Sequence, residues 1–319
     1  MSKIALITGV SGQDGQYTAK LLLDMGYKVI GTTRSFNASK DALPKYLSSQ
    51  LSLYEWDLIC ETQLRNILEK NNIDEVYNFA AYSSGIGMFD DPVAISVING
   101  LAVVKILSAI NDVNPKIRFA QASSSEMFGK TQAFPQTEAG PFYPVNPYGA
   151  AKLYAHNMID IYRERHGLFA CSAILFNHES PIRGINFVTR KISQTAAKIK
   201  LGLATELVLG NLDISRDWMF SGDAVKAIWM MLQNKVAEDY VVASGISHTV
   251  RQFCQIAFDS LGLDYQDYVR TSPEFFRKIE SVSLQGDSGK LRKLGWSPQV
   301  DFKNLVQQMV ENDLRLLKN

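Results

Sequence analysis

Among thirteen tyrosines, Tyr148 alone has a lysine four residues on, at Lys152, the spacing that puts two side chains on one face of a helix. An ammonium held beside a phenol favours the phenolate, so the pair predicts a tyrosine with a lowered pKa, able to take a proton near neutral pH. The spacing occurs by chance about once in a chain of this length. Its weight comes from its place, downstream of a glycine-rich loop and a strand that stops at serines. Residues 118–123 are mostly apolar and end in a serine cluster, which places Ser124, Ser125 and Glu126 at the carboxyl end of a buried parallel strand. In open α/β sheets that edge is where ligands bind. From Tyr148 the pattern is helical, with Lys152, Leu153, His156, Met158 and Ile159 along one side, as far as the stop at Gly167.

These groups need a scaffold, and the N-terminal half supplies its signals in order. Residues 3–8 read as a buried strand running into Gly9-Val-Ser-Gly12-Gln-Asp-Gly15 and then a helix to Gly26. Glycines there permit a tight turn and let a pyrophosphate approach the helix N-terminus, whose free amides and dipole favour anions. The second strand, 28–33, is followed by Arg34 and Ser35, with no acidic residue between Asp24 and Asp41 to hold ribose hydroxyls. Arg34 therefore suits a 2′-phosphate, against the alternative of a solvated loop arginine. Strands at 51–55 and 75–79, a helix near 61–69 and a long helix at about 92–111 complete a parallel sheet with covering helices. Asp57 and the small pair Ala80 and Ala81 fall at its ligand-bearing edge.

Composition bounds the rest. The 319 residues are 46% hydrophobic and 20% charged, enough to bury one large core or two moderate ones, and the net charge of +1 points to neither nucleic acid nor an anionic membrane as partner. Cys60, Cys171 and Cys254 are odd in number, widely spaced and set among apolar residues, so core thiols are expected rather than disulfides or a metal site. The short apolar run after Met1 is not a signal peptide and no stretch reads as membrane-spanning, which predicts a cytoplasmic protein.

After the strand at 171–176 the chain turns polar, with His178, Arg183, Arg190 and Lys191 in a turn-rich segment suited to a second ligand. His178 reads as a hydrogen-bonded turn histidine rather than a catalytic one. A short strand at 207–209, a helix led by Asp223, a strand at 239–242 and helices at about 250–261 and 302–317 follow without a linker, so the second lobe must pack closely on the sheet.

The segments 7–15, 121–129, 141–154, 175–181, 186–191 and 216–218 together resemble the extended short-chain dehydrogenases/reductases, and within them the GDP-mannose 4,6-dehydratases. The resemblance spans nearly the whole chain. It implies an α/β fold, a Rossmann-type doubly wound parallel sheet with a smaller, closely packed α/β substrate lobe. An NADP-binding domain would cover 1–176, with about 210–245 returning to it, and a GDP-sugar-binding domain 177–319. Ser124 takes the place of the family's catalytic threonine, Glu126 that of its C5 base, and Tyr148 and Lys152 those of the oxidising pair. Cofactor contacts fall to Gly9, Gly12, Gln13, Asp14, Gly15, Arg34, Asp57, Leu58, Ala80, Ala81, Tyr148 and Lys152. Contacts to a GDP-sugar fall to Ser83, Ser125, Asn177, Val188, Lys191, Arg216, Arg277 and Glu280. Five positions depart from the pattern: Ser124, Tyr82, Val145, Asn146 and Met219 stand for threonine, glutamine, arginine, serine and glycine. The implied activity is a hydro-lyase with transient C4 oxidation by bound NADP, in a homodimer or homotetramer. A GDP-sugar C4 dehydrogenase, a 4-ketosugar reductase and a non-catalytic NADP-binding regulator are the alternatives on the same fold.

Overall fold

Strand β1, Ile4–Thr8, is buried on both faces, as its unbroken apolar run requires. Around it the computed structural model describes residues 2–36, 42–83, 88–275 and 284–318. Helix α1, Gln13–Asp24, buries Gly15, Thr18, Ala19 and Leu22, spaced three and four apart along one stripe. Strand β2 (Lys28–Thr33), β3 (Ser52–Glu55), helix α2 (Glu61–Asn71) and β4 (Glu75–Asn78) follow. Helix α3 runs Pro92–Val113, with Pro92 in its first turn and Asp91 accepting from the Ala94 amide at 2.9 Å. Its run is interrupted by a π turn at Val97–Leu101. Then come β5 (Arg118–Ser124), α4 (Pro147–His166) and β6 (Ala170–Leu175). Helix α4 ends where Gly167 takes φ 67° and donates to the Arg163 carbonyl.

The C-terminal part adds β7 (Asn177–Glu179), α5 (Val188–Lys200), β8 (Leu207–Leu209), β9 (Ser215–Phe220), α6 (Ser221–Gln233) and β10 (Tyr240–Val242). It closes with β11 (Ser247–Thr249), α7 (Val250–Asp259), β12 (Val269–Thr271) and α8 (Phe302–Lys318). The main sheet has seven parallel strands in the order β10-β6-β5-β4-β1-β2-β3. The Rossmann-type, doubly wound architecture is therefore present, with the order reversing between β1 and β4. Alternate residues of β1 face opposite layers: Ile7 joins Ala19, Leu22, Ile228 and Met231 of α1 and α6, while Leu6 joins Ile67, Ile106, Ile110 and Ile159 of α2, α3 and α4. A third core, with Ile192, Trp218, Phe253, Phe258, Leu305 and Met309, holds α5, α7 and α8 around β8 and β9.

Some expectations fail here. Helix α3 is long and apolar enough by composition to cross a membrane, with mean hydropathy 2.1, although no such stretch was expected. Half of that window is buried, and Val103, Ile106, Leu107 and Ile110 form core on the sheet. Cys60 is half-buried rather than core, unlike Cys171 and Cys254. Strands β7, β9 and β11 make a second small sheet, and β7 lies in the segment expected to be turn-rich, because residues 177–179 are polar, with no apolar alternation to mark a strand.

Candidate active site

All seven strands of the main sheet point the same way, so Gly9, Arg34, Asp57, Ala80, Ser124 and Asn177 emerge at one edge, from six different strands. At the reversal of strand order, Thr8 Oγ1 donates to Asn78 Oδ1 at 2.5 Å and accepts from the Ala80 amide at 3.0 Å. The loop from Gly9 is packed too tightly for side chains. A Cβ on Gly15 would stand 2.4 Å from Gly9 O, and one on Gly9, at φ 66°, would stand 2.9 Å from Ala80 N. Helix α1 starts at Gly12 with no side-chain cap, so its first amides face the edge. Such a cradle fits the diphosphate of a dinucleotide. Arg34 is exposed just past β2, Asp57 is exposed and Leu58 half-buried after β3, and Ala80 and Ala81 are half-buried after β4.

Ser124, Glu126, Tyr148 and Lys152 converge where β5 meets the start of α4. Ser124 Oγ accepts from the Glu126 amide at 3.2 Å and hydrogen-bonds Tyr148. Lys152, buried, donates from Nζ to Ala122 O at 2.8 Å, with Nζ 5.6 Å from the Tyr148 ring centroid. The expected lowering of the Tyr148 pKa does not occur in the protein alone. Burial pushes the phenol up to about 12, helped by the Glu126 charge and opposed by the Ser124 hydrogen bond. Burial likewise brings Lys152 down to about 8, against the nearby Asp14 carboxylate. Desolvation, invisible in a four-residue spacing, outweighs the ion pairing from which the lowered value was expected.

The family described as GDP-mannose 4,6 dehydratase matches residues 6–309 of this chain. The chain belongs to that family. It is 45% identical over 329 residues to GDP-mannose 4,6 dehydratase 2 of Arabidopsis thaliana, covering 99% of this chain and 88% of that protein. RMD from Pseudomonas aeruginosa, complexed with NADPH, shares the fold with TM-score 0.84 at 22% identity, over 99% of this chain and 100% of that one. dTDP-glucose 4,6-dehydratase from Bacillus anthracis in complex with NAD does so at 0.85 and 18%, over 99% and 98%.

In this member of the GDP-mannose 4,6-dehydratase family a second polar cluster, unforeseen from sequence, lies beside the first. His178 Nδ1 meets the Phe176 carbonyl at 2.8 Å and Nε2 meets Asp14 Oδ2 at 2.9 Å. Both partners are acceptors, so both ring nitrogens are satisfied only in the imidazolium. Burial opposes that charge, but Asp14 outweighs it and His178 is raised; burial also opposes the Asp14 charge, yet His178 and Arg183 hold Asp14 low. Gln13 Nε2 donates to His178 O at 3.1 Å and Gln13 Oε1 accepts from Ser180 at 2.7 Å, tying the start of α1 to β7. Asp14 and His178 stand 164 positions apart, so no local signal marks this pair.

The cations offered for phosphates divide. Arg190 is engaged structurally, with Asp313 at 2.6 Å and with the Pro181 carbonyl. Arg183 pairs with Glu179 at 3.0 Å and lies 3.5 Å over the Phe187 ring. Lys191 donates to Val208 O at 2.8 Å, 4.7 Å over Phe275, and Arg216 is buried on β9, donating to Ser215 O at 2.8 Å. Asn177 is half-buried at the start of β7, Val188 is exposed at the start of α5, Ser125 is buried and Ser83 exposed. Arg277 and Glu280 lie outside the described residues.

Proposed function

We propose that this protein is a nucleotide-sugar 4,6-dehydratase, a hydro-lyase that converts GDP-mannose, or a related GDP-manno-sugar such as a heptose, into its 4-keto-6-deoxy product. The observation that carries this reading is the convergence of Ser124, Glu126, Tyr148 and Lys152 at the carboxyl edge, in a chain whose match to the family covers residues 6–309. A nicotinamide dinucleotide bound in the glycine cradle would supply the hydride acceptor at C4, the hydride donor at C6 and, when oxidised, positive charge beside the phenol. Tyr148 takes the C4 hydroxyl proton, and Ser124, hydrogen-bonded to it, steadies the same oxygen. The C4 ketone acidifies C5, where Glu126 takes the proton and hands it to the C6 hydroxyl, which leaves as water; once hydride has returned to C6, a solvent-derived proton enters at C5. Lys152 holds positive charge beneath the Tyr148 ring.

NADP is proposed over NAD because Arg34 follows β2 where no carboxylate stands. Asn177, Val188, Lys191 and Arg216, with Arg277 and Glu280, are assigned to the GDP-sugar within a domain of residues 177–319, and residues 1–176 to the cofactor. Homodimer or homotetramer assembly is supported by exposed apolar residues on α3 and α4, among them Val93 at 71% and Ile161 at 48%. A cytoplasmic location is supported by three cysteines that are all free thiols. The heptose alternative rests on Tyr82, Val145 and Asn146. Tyr82 is 40% exposed, its backbone held by Asn99 at 2.9 and 3.1 Å.

The test is incubation in D₂O with GDP-mannose and, separately, a GDP-manno-heptose, without added reduced cofactor. Loss of water with deuterium at C5 is expected from one of them. A 4-keto product that keeps its C6 oxygen, formed with stoichiometric reduced cofactor, would move the assignment to a C4 dehydrogenase.

A further inference from the structure

Asn146 has both ends of its side chain committed. Its Oδ1 accepts from the Gly149 amide at 2.7 Å and caps α4, while Nδ2 donates to Glu126 Oε2 at 2.8 Å. The orientation is unambiguous, because a backbone N–H can only donate and so must face the amide oxygen, which turns the NH₂ onto the carboxylate. Capping needs no such second bond. Asp91 caps α3 through an accepting oxygen alone. The backbone geometry reinforces the contact: a Cβ on Gly149 would stand 2.5 Å from Glu126 O, so the glycine lets the first turn of α4 lie against the Glu126 peptide. Ser124 Oγ fixes the Glu126 amide from the other side.

We infer that Asn146 is a positioning residue, which aims the Glu126 carboxylate and ties it to the helix that carries Tyr148. This rests on the assignment of Glu126 as the C5 base. Among the described residues Oε2 is the oxygen that carries a side-chain hydrogen bond, which leaves Oε1 to take the C5 proton. One amide thereby couples the two half-reactions: whatever shifts the start of α4, and Tyr148 in its first turn, also shifts the C5 base.

Two variants keep the cap and change only the second contact. Asn146→Ser retains a capping oxygen but takes away the NH₂ that reaches Glu126, its hydroxyl sitting on a shorter side chain; Asn146→Asp retains a strong cap and sets a carboxylate against Glu126. The proposal expects Asn146→Ser to slow deuterium entry at C5 by about tenfold or more while reduction of bound cofactor on adding GDP-mannose falls far less. In Asn146→Asp the acid limb of C5 exchange should move up by about one pH unit, through like-charge repulsion. A carboxyl ¹³C titration of cofactor-free protein, with Glu126 assigned by Glu126→Gln, reads the same contact without catalysis and should show that upward shift in Asn146→Asp. Thermal unfolding confirms that both variants fold. An unmoved Glu126 titration in folded Asn146→Asp overturns the proposal whatever the enzyme's activity. A moved titration with no exchange at C5 in the unmodified protein leaves the contact standing and rejects the base assignment instead.

Discussion

Lys152 Nζ lies 5.6 Å from the centre of the Tyr148 ring and donates to the Ala122 carbonyl, placing its charge under the ring without a hydrogen bond to the phenol. With Tyr148 pushed up to about 12 by burial, proton removal from C4 must coincide with arrival of positive charge in the site. Tyr148→Phe should therefore lower reduction of bound cofactor by GDP-mannose by about 10²- to 10⁴-fold, the usual contribution of a general base. Glu126→Gln should still reduce the cofactor and then stall before water leaves. The absorbance of the reduced cofactor separates the two, and normal turnover by Glu126→Gln would remove the dehydratase assignment.

Burial of Lys152 carries a stability cost that function retains. Its pKa falls from 10.5 to about 8 in the folded protein. The native state therefore disfavours the ammonium, fully so below about pH 8, and the penalty fades as pH rises toward the unfolded value of about 10.4. Lys152→Met should lose C4 oxidation yet be more stable at pH 7 by about 1–3 kcal/mol, with the gain closing above pH 8. Denaturant unfolding at pH 7 and pH 10 measures this. A Met variant less stable at both values would contradict it.

The His178–Asp14 pair sets a different pH window. The raised His178 contributes stability that is complete below the ordinary histidine value of about 6.5 and is lost as pH rises through its folded value. The lowered Asp14 contributes stability present above about 3.9 and lost as pH falls through its folded value. His178→Asn should thus cost most between about pH 4 and 6.5, of order 3 kcal/mol because Asp14 is left buried and unpaired. The difference in melting temperature should shrink toward alkaline pH; a constant difference would exclude the ion pair.

What the sequence made legible follows from how local each signal is. The apolar runs at Ile4–Thr8, Lys28–Thr33 and Ala170–Leu175 mark buried parallel strands by themselves, and the Gly167 stop and the Pro92 start bound their helices. The Tyr148–Lys152 spacing likewise named a shared helical face. Burial decided what spacing could not: it reversed the expected direction of the Tyr148 shift and kept a hydropathic helix, α3, as core. Partners far apart in the chain, Asp14 with His178 and Glu126 with Asn146, depend on tertiary closure and left no periodic trace. Strand β7 was missed because Asn177, His178 and Glu179 are polar; its order comes from pairing with β9.

Cofactor choice turns on Arg34. Arg34→Glu should exchange a preference for NADP for one for NAD, since a guanidinium matches a 2′-phosphate and a carboxylate matches ribose hydroxyls. Affinities for both dinucleotides, measured by calorimetry on both proteins, test it, and equal affinities in the unmodified protein would contradict it.

The central claim is that hydrogen removed at C4 returns to the same sugar at C6 while Tyr148 and Glu126 handle the protons. GDP-mannose carrying deuterium at C4, incubated with the protein and no added reduced cofactor, tests it most directly. The account predicts a 4-keto-6-deoxy product with that deuterium at C6, read by NMR and mass spectrometry. Deuterium accumulating in reduced cofactor, beside a sugar that keeps its C6 hydroxyl, would contradict it.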